Sequence, residues 1–178
     1  MGERVRGPVT LECVRGDITR QADLDAVVNA ANAELRPGGG VAGAIHRAAG
    51  PELDRACRPL APIRPGQAVI TEAFGLPNDY VIHCLGPVYG VDQPSDQLLA
   101  DCYRNALRLA ESEGLASIGF PALSTGVFGY PMADAAGVAL HTLWDECFGL
   151  ASVRRIRFVL FSDADAEMHN QVLRGLTD

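Results

Sequence analysis

Residues 27–50 of the chain read VVNAANAELRPGGGVAGAIHRAAG. A short apolar strand, Leu24–Val28, runs into the polar Asn29, three consecutive glycines follow, and the pattern then predicts a helix over Val41–Ala49. In open α/β sheets, ligands bind at the carboxyl ends of the strands. Glycines allow backbone N–H groups to approach an anion without Cβ clashes, and a helix N-terminus adds free N–H groups and partial positive charge. The stretch therefore predicts an α/β fold with an anion-binding, glycine-rich loop at residues 38–43.

This first loop differs from the two common phosphate-binding fingerprints, GxxxxGK[ST] and GxGxxG. A plain surface loop is therefore the alternative interpretation. Two amide side chains, Asn29 and Asn32, stand at the end of the strand and favour binding. Amides in such positions serve as turn formers or as ligand contacts, and we expect one of each.

A second strand–loop–helix unit, at residues 120–131, reads FPALSTGVFGYP. A strand ends at Phe120, a polar loop with two glycines follows, and Pro131 suits the first turn of the next helix. Two such loops at two strand ends predict a ligand with two phosphates, or a diphosphate held from both sides. Phe128 and Tyr130 either close over a ribose or anchor the loop to the core.

Strand and helix patterns alternate along the rest of the chain, without a linker or a repeat. Alternation of this kind predicts a three-layer α/β/α fold with a largely parallel sheet, and we expect one domain over residues 1–178. Ser95 is expected to cap the longest helix. The other predicted strands are Val9–Val14, Gln67–Thr71, Tyr80–Leu85, Ser117–Phe120 and Arg155–Phe161, and the other predicted helices are Ser95–Glu113, Pro131–Cys147 and Ala164–Leu173.

Composition excludes several classes of protein. The net charge is −7, whereas a general binder of nucleic acid or of membrane surfaces needs a basic face. The chain contains no lysine, which excludes a Schiff-base lysine and a P-loop lysine. The 5 cysteines lack zinc-ligand spacing. We therefore expect free thiols, no metal, no cofactor and a cytoplasmic location, and we see neither a membrane-spanning run nor a secretory signal.

In order and spacing, these motifs resemble the macrodomain family of ADP-ribose-binding modules, over nearly the whole chain. The resemblance implies a three-layer fold with a mixed, largely parallel sheet. The second loop and residues 46–50 are similar to the MacroD-type branch, which removes mono-ADP-ribose from proteins and deacetylates O-acetyl-ADP-ribose. The motifs that carry the resemblance are residues 16–19 (GDIT), 25–32 (DAVVNAAN), 38–50 (GGGVAGAIHRAAG), 66–68 (GQA), 81–83 (VIH), 86–87 (GP), Pro121 and 124–131 (STGVFGYP).

The resemblance also implies residue roles. Asp17 would accept a hydrogen bond from the adenine amino group, Ile18 would lie beside the base, and Phe161 would stack on it. From the sequence alone, Asp17 instead forms an Asx-turn or a helix cap ahead of Thr19, and Phe161 is equally a core residue. Asn32 would bond the distal ribose. The two walls of the diphosphate site would be Gly38, Gly39, Gly40 and Val41 on one side and Ser124, Thr125, Gly126, Val127 and Phe128 on the other.

One position departs from the MacroD-type pattern. That branch usually carries an aspartate directly after GGGV, proposed to position or activate the attacking water, and this chain has Ala42 there. Two substitutes are open: the α-phosphate of the ligand, or His46, which follows Ala42 by one helical turn and would share its helix face. His46 is otherwise a partly buried structural residue. Asn32, His46 and Phe128 are therefore the candidate catalytic residues.

The leading functional hypothesis is a hydrolase of mono-ADP-ribosyl esters or of O-acetyl-ADP-ribose that attacks the distal ribose with water. The alternatives are a non-catalytic reader of ADP-ribose and a phosphatase acting on ADP-ribose 1''-phosphate. The expected partners are ADP-ribose or ADP-ribosylated proteins, and we expect a monomer. Among the other histidines, His83 is expected in the core, and His141 and His169 on helix surfaces.

Overall fold

Five parallel strands form the centre of one mixed sheet, and an antiparallel strand lies at each edge. The computed structural model describes residues 2–178. The sheet order is β1-β2-β7-β6-β3-β5-β4. The strands are β1 Gly2–Arg6, β2 Val9–Arg15, β3 Ala26–Ala30, β4 Ala68–Glu72, β5 Tyr80–Cys84, β6 Ser117–Phe120 and β7 Arg155–Leu160, and the helices are α1 Gly40–Ala49, α2 Pro51–Cys57, α3 Ser95–Ser112, α4 Met132–Glu146 and α5 Asp163–Arg174.

Helices cover both faces of the sheet and divide the core in two. Val28 and Phe158 pack into the larger half with α3, α4 and α5. Val27 and Val159, their neighbours along β3 and β7, pack into the smaller half with α1 and α2. Successive side chains of a strand point to opposite faces, so apolar runs such as Val27-Val28 serve both halves. The predicted three-layer α/β/α fold with a mixed, largely parallel sheet is confirmed.

Two elements of the structure were not predicted from the sequence patterns. The edge strand β1, GERVR, has charged residues at every second position or closer, and its Val5 is exposed. The short helix α2 follows α1 after Gly50 alone and buries only Leu53 and Cys57. Neither segment has the long apolar periodicity on which such predictions depend.

Two local predictions are wrong. The cap of α3 is Pro94 rather than Ser95, whose hydroxyl donates instead to the carbonyl of Asp92 at 2.5 Å. His169 is buried rather than on the surface of α5, and its ring lies 5.4 Å from that of Phe158. The helix α5 packs on β1 and β2 as well as on α4, so the face that carries His169 is covered.

Candidate functional site

A cavity of about 450 Å³ opens at the carboxyl ends of β3, β6 and β7. This volume is in the range of small-molecule sites. Its walls are the loop before α1 and the loop between β6 and α4. The predicted ligand-binding residues that line it are Asn32, Gly38, Gly39, Gly40, Val41, Ser124, Thr125, Gly126, Val127, Phe128 and Phe161. The structure thus brings both predicted loops to one cavity.

The first wall is a glycine loop that folds back onto its own helix. Gly40 has φ +54°, and a Cβ on Gly39 or Gly40 would meet nothing within 4 Å. A Cβ on Gly43 would lie 2.4 Å from the carbonyl oxygen of Gly38. Glycine at position 43 therefore permits this close approach, and it places the N-terminus of α1, with its free N–H groups, at the cavity.

The second wall contains a strained serine. Ser124 has φ +67°, its hydroxyl is buried, and no hydrogen-bond partner for it exists within residues 2–178. A left-handed conformation in a residue other than glycine is uncommon and clusters at functional sites. The N–H of Tyr130 donates to the carbonyl of Ser124 at 2.9 Å, and Thr125 Oγ1 donates to that of Ala122 at 2.9 Å. These bonds hold the loop in shape.

The two aromatic residues of the second loop have different surroundings. Phe128 is half-buried and lines the cavity. Tyr130 is buried, lies outside the cavity lining, and packs with its ring 4.6 Å from that of Tyr89. Of the two interpretations left open for Tyr130, the structure therefore favours the anchor to the core.

Asn29 and Asn32 separate into different roles, though not in the expected way. Asn32 lines the cavity, and its side chain also holds the loop, since Oδ1 accepts from the N–H of Arg36 at 3.0 Å and Nδ2 donates to its carbonyl at 2.9 Å. An amide has two donor hydrogens and two acceptor lone pairs. Asn32 therefore has one donor hydrogen and one lone pair left for a ligand. Asn29 is buried away from the cavity, and its Nδ2 donates to His83 Nδ1 at 3.1 Å.

Of the three predicted adenine-binding residues, one lines the cavity and two do not. Phe161 follows β7, lines the cavity and is 90% exposed, which excludes a core role. Asp17 and Ile18 lie outside the lining, although the N–H of Gly16 donates to the carbonyl of Leu160 and keeps this segment beside the cavity.

Asp17 caps the short helical turn that follows it. Its Oδ1 accepts from Thr19 Oγ1 at 2.6 Å and from the N–H of Thr19 at 2.9 Å, and these hydrogen bonds lower the pKa of its carboxyl. Its role toward a base stays a prediction.

Residues 28–139 match the Macro domain family. The chain belongs to this family. A solved macrodomain of Oceanobacillus iheyensis with ADP is 41% identical, has a TM-score of 0.93 and covers 97% of this chain and 94% of its own. A Trypanosoma brucei macrodomain in complex with ADP-ribose is 38% identical at a TM-score of 0.84, over 90% of this chain and 68% of its own. An O-acetyl-ADP-ribose deacetylase of Citrobacter rodentium is 47% identical over 168 residues, which cover 92% of this chain and 94% of that protein.

In this macrodomain, Ala42 and His46 do not share the cavity. Ala42 lines it. His46 is buried outside the lining, and neither ring nitrogen has a hydrogen-bond partner in the described part of the chain. Burial lowers the pKa of His46, an effect that nearby Arg36 strengthens and Asp54 opposes. Only part of the helix face that Ala42 and His46 share meets the cavity, and His46 lies outside that part. The structure therefore does not bring His46 to the site.

One cavity residue that the sequence did not suggest is Asp165. It lies in the first turn of α5 and is the one charged side chain among the described residues that line the cavity. An acidic residue in the first turn of a helix is ordinarily explained by its favourable interaction with the helix dipole. That explanation gives no reason to consider Asp165 a site residue. Phe161 precedes α5, so the spacing of four residues between Phe161 and Asp165 is not a helical one and offers no signal in the sequence for this residue.

The macrodomain offers no obvious metal site within residues 2–178, where no three His, Cys, Asp or Glu side chains are grouped to hold an ion. Over the same residues, no helix has the length and apolar character needed to cross a membrane.

Proposed function

We propose that this macrodomain binds ADP-ribose and hydrolyses its esters, either O-acetyl-ADP-ribose or mono-ADP-ribosyl esters on acidic side chains. The observation that carries the proposal is a cavity walled by two glycine loops, with an exposed Phe161 at its edge. Among the described lining residues there is no Arg. Backbone N–H groups of the loops and the N-terminus of α1 therefore bind the diphosphate.

In this proposal, side chains that line the same cavity contact the rest of the ligand. The adenine stacks on Phe161, and stacking of this kind contributes about 1–3 kcal/mol per base. The distal ribose lies at Asn32 and Phe128, which both line the cavity. The remaining donor and acceptor of the Asn32 amide bind its hydroxyls.

Hydrolysis in this site proceeds without a protein carboxylate at position 42. The α-phosphate of the ligand orients a water against the anomeric carbon of a mono-ADP-ribosyl ester. The water oxygen bonds to that carbon, the bond to the ester oxygen breaks, the carboxylate leaves and a proton passes to solvent. N–H groups of the two loops stabilise the charge that develops.

The test is release of ADP-ribose from both esters by the purified protein. Asn32→Ala and Phe128→Ala should each lower the rate by about tenfold or more, since misplacing the reacting groups costs up to about 100-fold. Phe148→Ala is the matched control, because Phe148 is an exposed aromatic residue outside the cavity lining, and it should leave the rate unchanged. Survival of both esters through prolonged incubation would refute the hydrolase.

A non-catalytic reader is the second candidate, and Ala42 is the observation that favours it, because alanine cannot act as a general base. A reader binds ADP-ribose without turnover. Calorimetry with ADP-ribose and with AMP tests both candidates, since equal affinities would mean that neither the distal ribose nor the diphosphate is recognised.

The setting that we propose is a monomer acting on ADP-ribosylated proteins in the cytoplasm. All 5 cysteines are buried and free in the part of the chain that the structure describes, which suits a reducing compartment. Size-exclusion chromatography with light scattering tests the monomer.

A further inference from the structure

The cavity contains a carboxylate that the proposed function leaves without a role. Asp165 is half-buried at the start of α5, four residues after Phe161. Its backbone is engaged, since its N–H donates to Ser162 Oγ at 3.1 Å and its carbonyl accepts from His169 Nδ1 at 2.8 Å. Its carboxylate oxygens have no hydrogen-bond or ion-pair partner within residues 2–178.

Asp163, two residues earlier, has a different environment. It lies outside the cavity lining and pairs with Arg15, whose Nη1 is 3.3 Å from Asp163 Oδ2. Both aspartates are in the first turn of α5 and both complement its dipole. The dipole therefore does not explain why one of the two faces the cavity.

A free carboxylate is unfavourable beside a diphosphate, because two negative charges repel each other in a partly buried site. It becomes favourable when the ligand brings hydroxyl groups to it. An ionised carboxylate only accepts hydrogen bonds, and its two oxygens can bind two neighbouring hydroxyls. The cis-diol of a ribose is such a pair.

We propose that Asp165 binds the 2'- and 3'-hydroxyls of the adenosine ribose and makes the site selective against nucleotides with a 2'-phosphate. This inference rests on the proposed function. With the adenine on Phe161 and the diphosphate between the loops, the adenosine ribose lies between them, and Asp165, four residues after Phe161 in the chain, lines the same cavity. Dinucleotide-binding folds use the same chemistry, with an acidic residue for a free 2'-hydroxyl and an arginine for a 2'-phosphate.

The test is calorimetry with ADP, 2'-deoxy-ADP and ADP that carries a 2'-phosphate. The unaltered protein should bind ADP about tenfold more tightly than 2'-deoxy-ADP, the ratio expected for one hydrogen bond to a charged group. It should bind the 2'-phosphorylated ligand at least about 100-fold more weakly than ADP, since that ligand loses the bond and adds repulsion.

Three variants separate the diol from general charge effects. Asp165→Ala should bring the ratio for ADP against 2'-deoxy-ADP close to one, and Asp165→Asn should recover much of the binding of the 2'-phosphorylated ligand. Asp163→Asn removes an equal charge from the same turn and should leave both ratios as they are. Thermal melts of all variants check that α5 is intact.

Two outcomes would overturn the inference while ADP still binds: equal binding of ADP and 2'-deoxy-ADP by the unaltered protein, or a tenfold ratio that persists in Asp165→Ala. Absence of ADP binding by the unaltered protein would instead overturn the proposed function itself.

Discussion

At the scale of single residues, Ala42 is the position that bears on catalysis rather than on ligand binding. It lines the cavity where the MacroD-type pattern has a carboxylate. General acid–base assistance contributes typically about 10²–10⁴-fold to a rate. In the hydrolysis that we propose, the ligand and backbone N–H groups take over the role that this side chain usually has.

The variant Ala42→Asp tests that reliance. We expect hydrolysis to become about tenfold faster or more, because a carboxylate can accept the proton of the attacking water. We also expect weaker binding of ADP-ribose, since the new charge faces the diphosphate. Rates come from ester hydrolysis and affinities from calorimetry. An unchanged rate would show that other groups already position the water.

At the scale of elements, the loop before α1 and α1 itself act as one unit. The close approach of Gly43 to the carbonyl of Gly38 fixes the glycine loop against its helix. Neither residue needs to touch the ligand for this contact to matter, because it decides where the N–H groups point.

Gly43→Ala should therefore displace the first loop. The added Cβ would lie 2.4 Å from a backbone oxygen, and overpacking of this kind costs about 1–3 kcal/mol. We expect a lower melting temperature and ADP-ribose binding weakened by about tenfold or more, which corresponds to about 1.4 kcal/mol.

Gly137→Ala in α4 is the matched control for this substitution. A Cβ on Gly137 would meet nothing within 4 Å, and alanine is favoured over glycine in a helix by about 0.5–1 kcal/mol. That variant should melt at a higher temperature and bind normally. If both variants behave alike, the contact between Gly43 and Gly38 does not hold the loop.

At the scale of the whole molecule, buried histidines make the free energy of unfolding depend on pH. His83 is fully buried in β5, and its Nε2 lies 3.0 Å from Thr71 Oγ1 and 3.7 Å from Cys57 Sγ. Burial, with a smaller effect of His46, lowers the pKa of His83 to about 3. Burial also lowers the pKa values of His46 and His169. Cys57 stays neutral, because burial raises its pKa to about 11.

The free energy of unfolding should therefore fall with acidification. Below a pH of about 6.5, the unfolded chain takes up protons on these histidines more readily than the folded chain does. The stability they contribute is complete above that pH and declines toward pH 3, by about 1.4 kcal/mol per pH unit for His83 alone. Urea denaturation between about pH 5 and 6.5 isolates this effect, since carboxylates of unfolded chains titrate mainly at lower pH.

His83→Asn should flatten this slope, and His141→Gln, at an exposed helix position, should leave it as it is. A stability that is constant from about pH 6.5 to 5 in the unaltered protein would contradict the prediction, whatever the variants do.

The order of elements and the two glycine loops could be predicted from the sequence because they depend on neighbours in the chain. A buried strand, a run of glycines and a helix pattern in residues 27–50 are local signals, and their positions after strands already indicate one edge of a sheet. The strand β1 could not be predicted, because an edge strand exposes side chains and lacks an apolar run.

By itself, the sequence determined the fold class, the positions of the two glycine loops and the residues that form them. Only the tertiary structure decided which side chains reach the cavity: it brought in Asp165, left Phe161 exposed, and kept His46 outside although His46 follows Ala42 by one turn. The physical reason is that backbone conformation follows local spacing, whereas the direction of a side chain in space depends on how a helix rotates against the sheet, which the packing of distant residues sets.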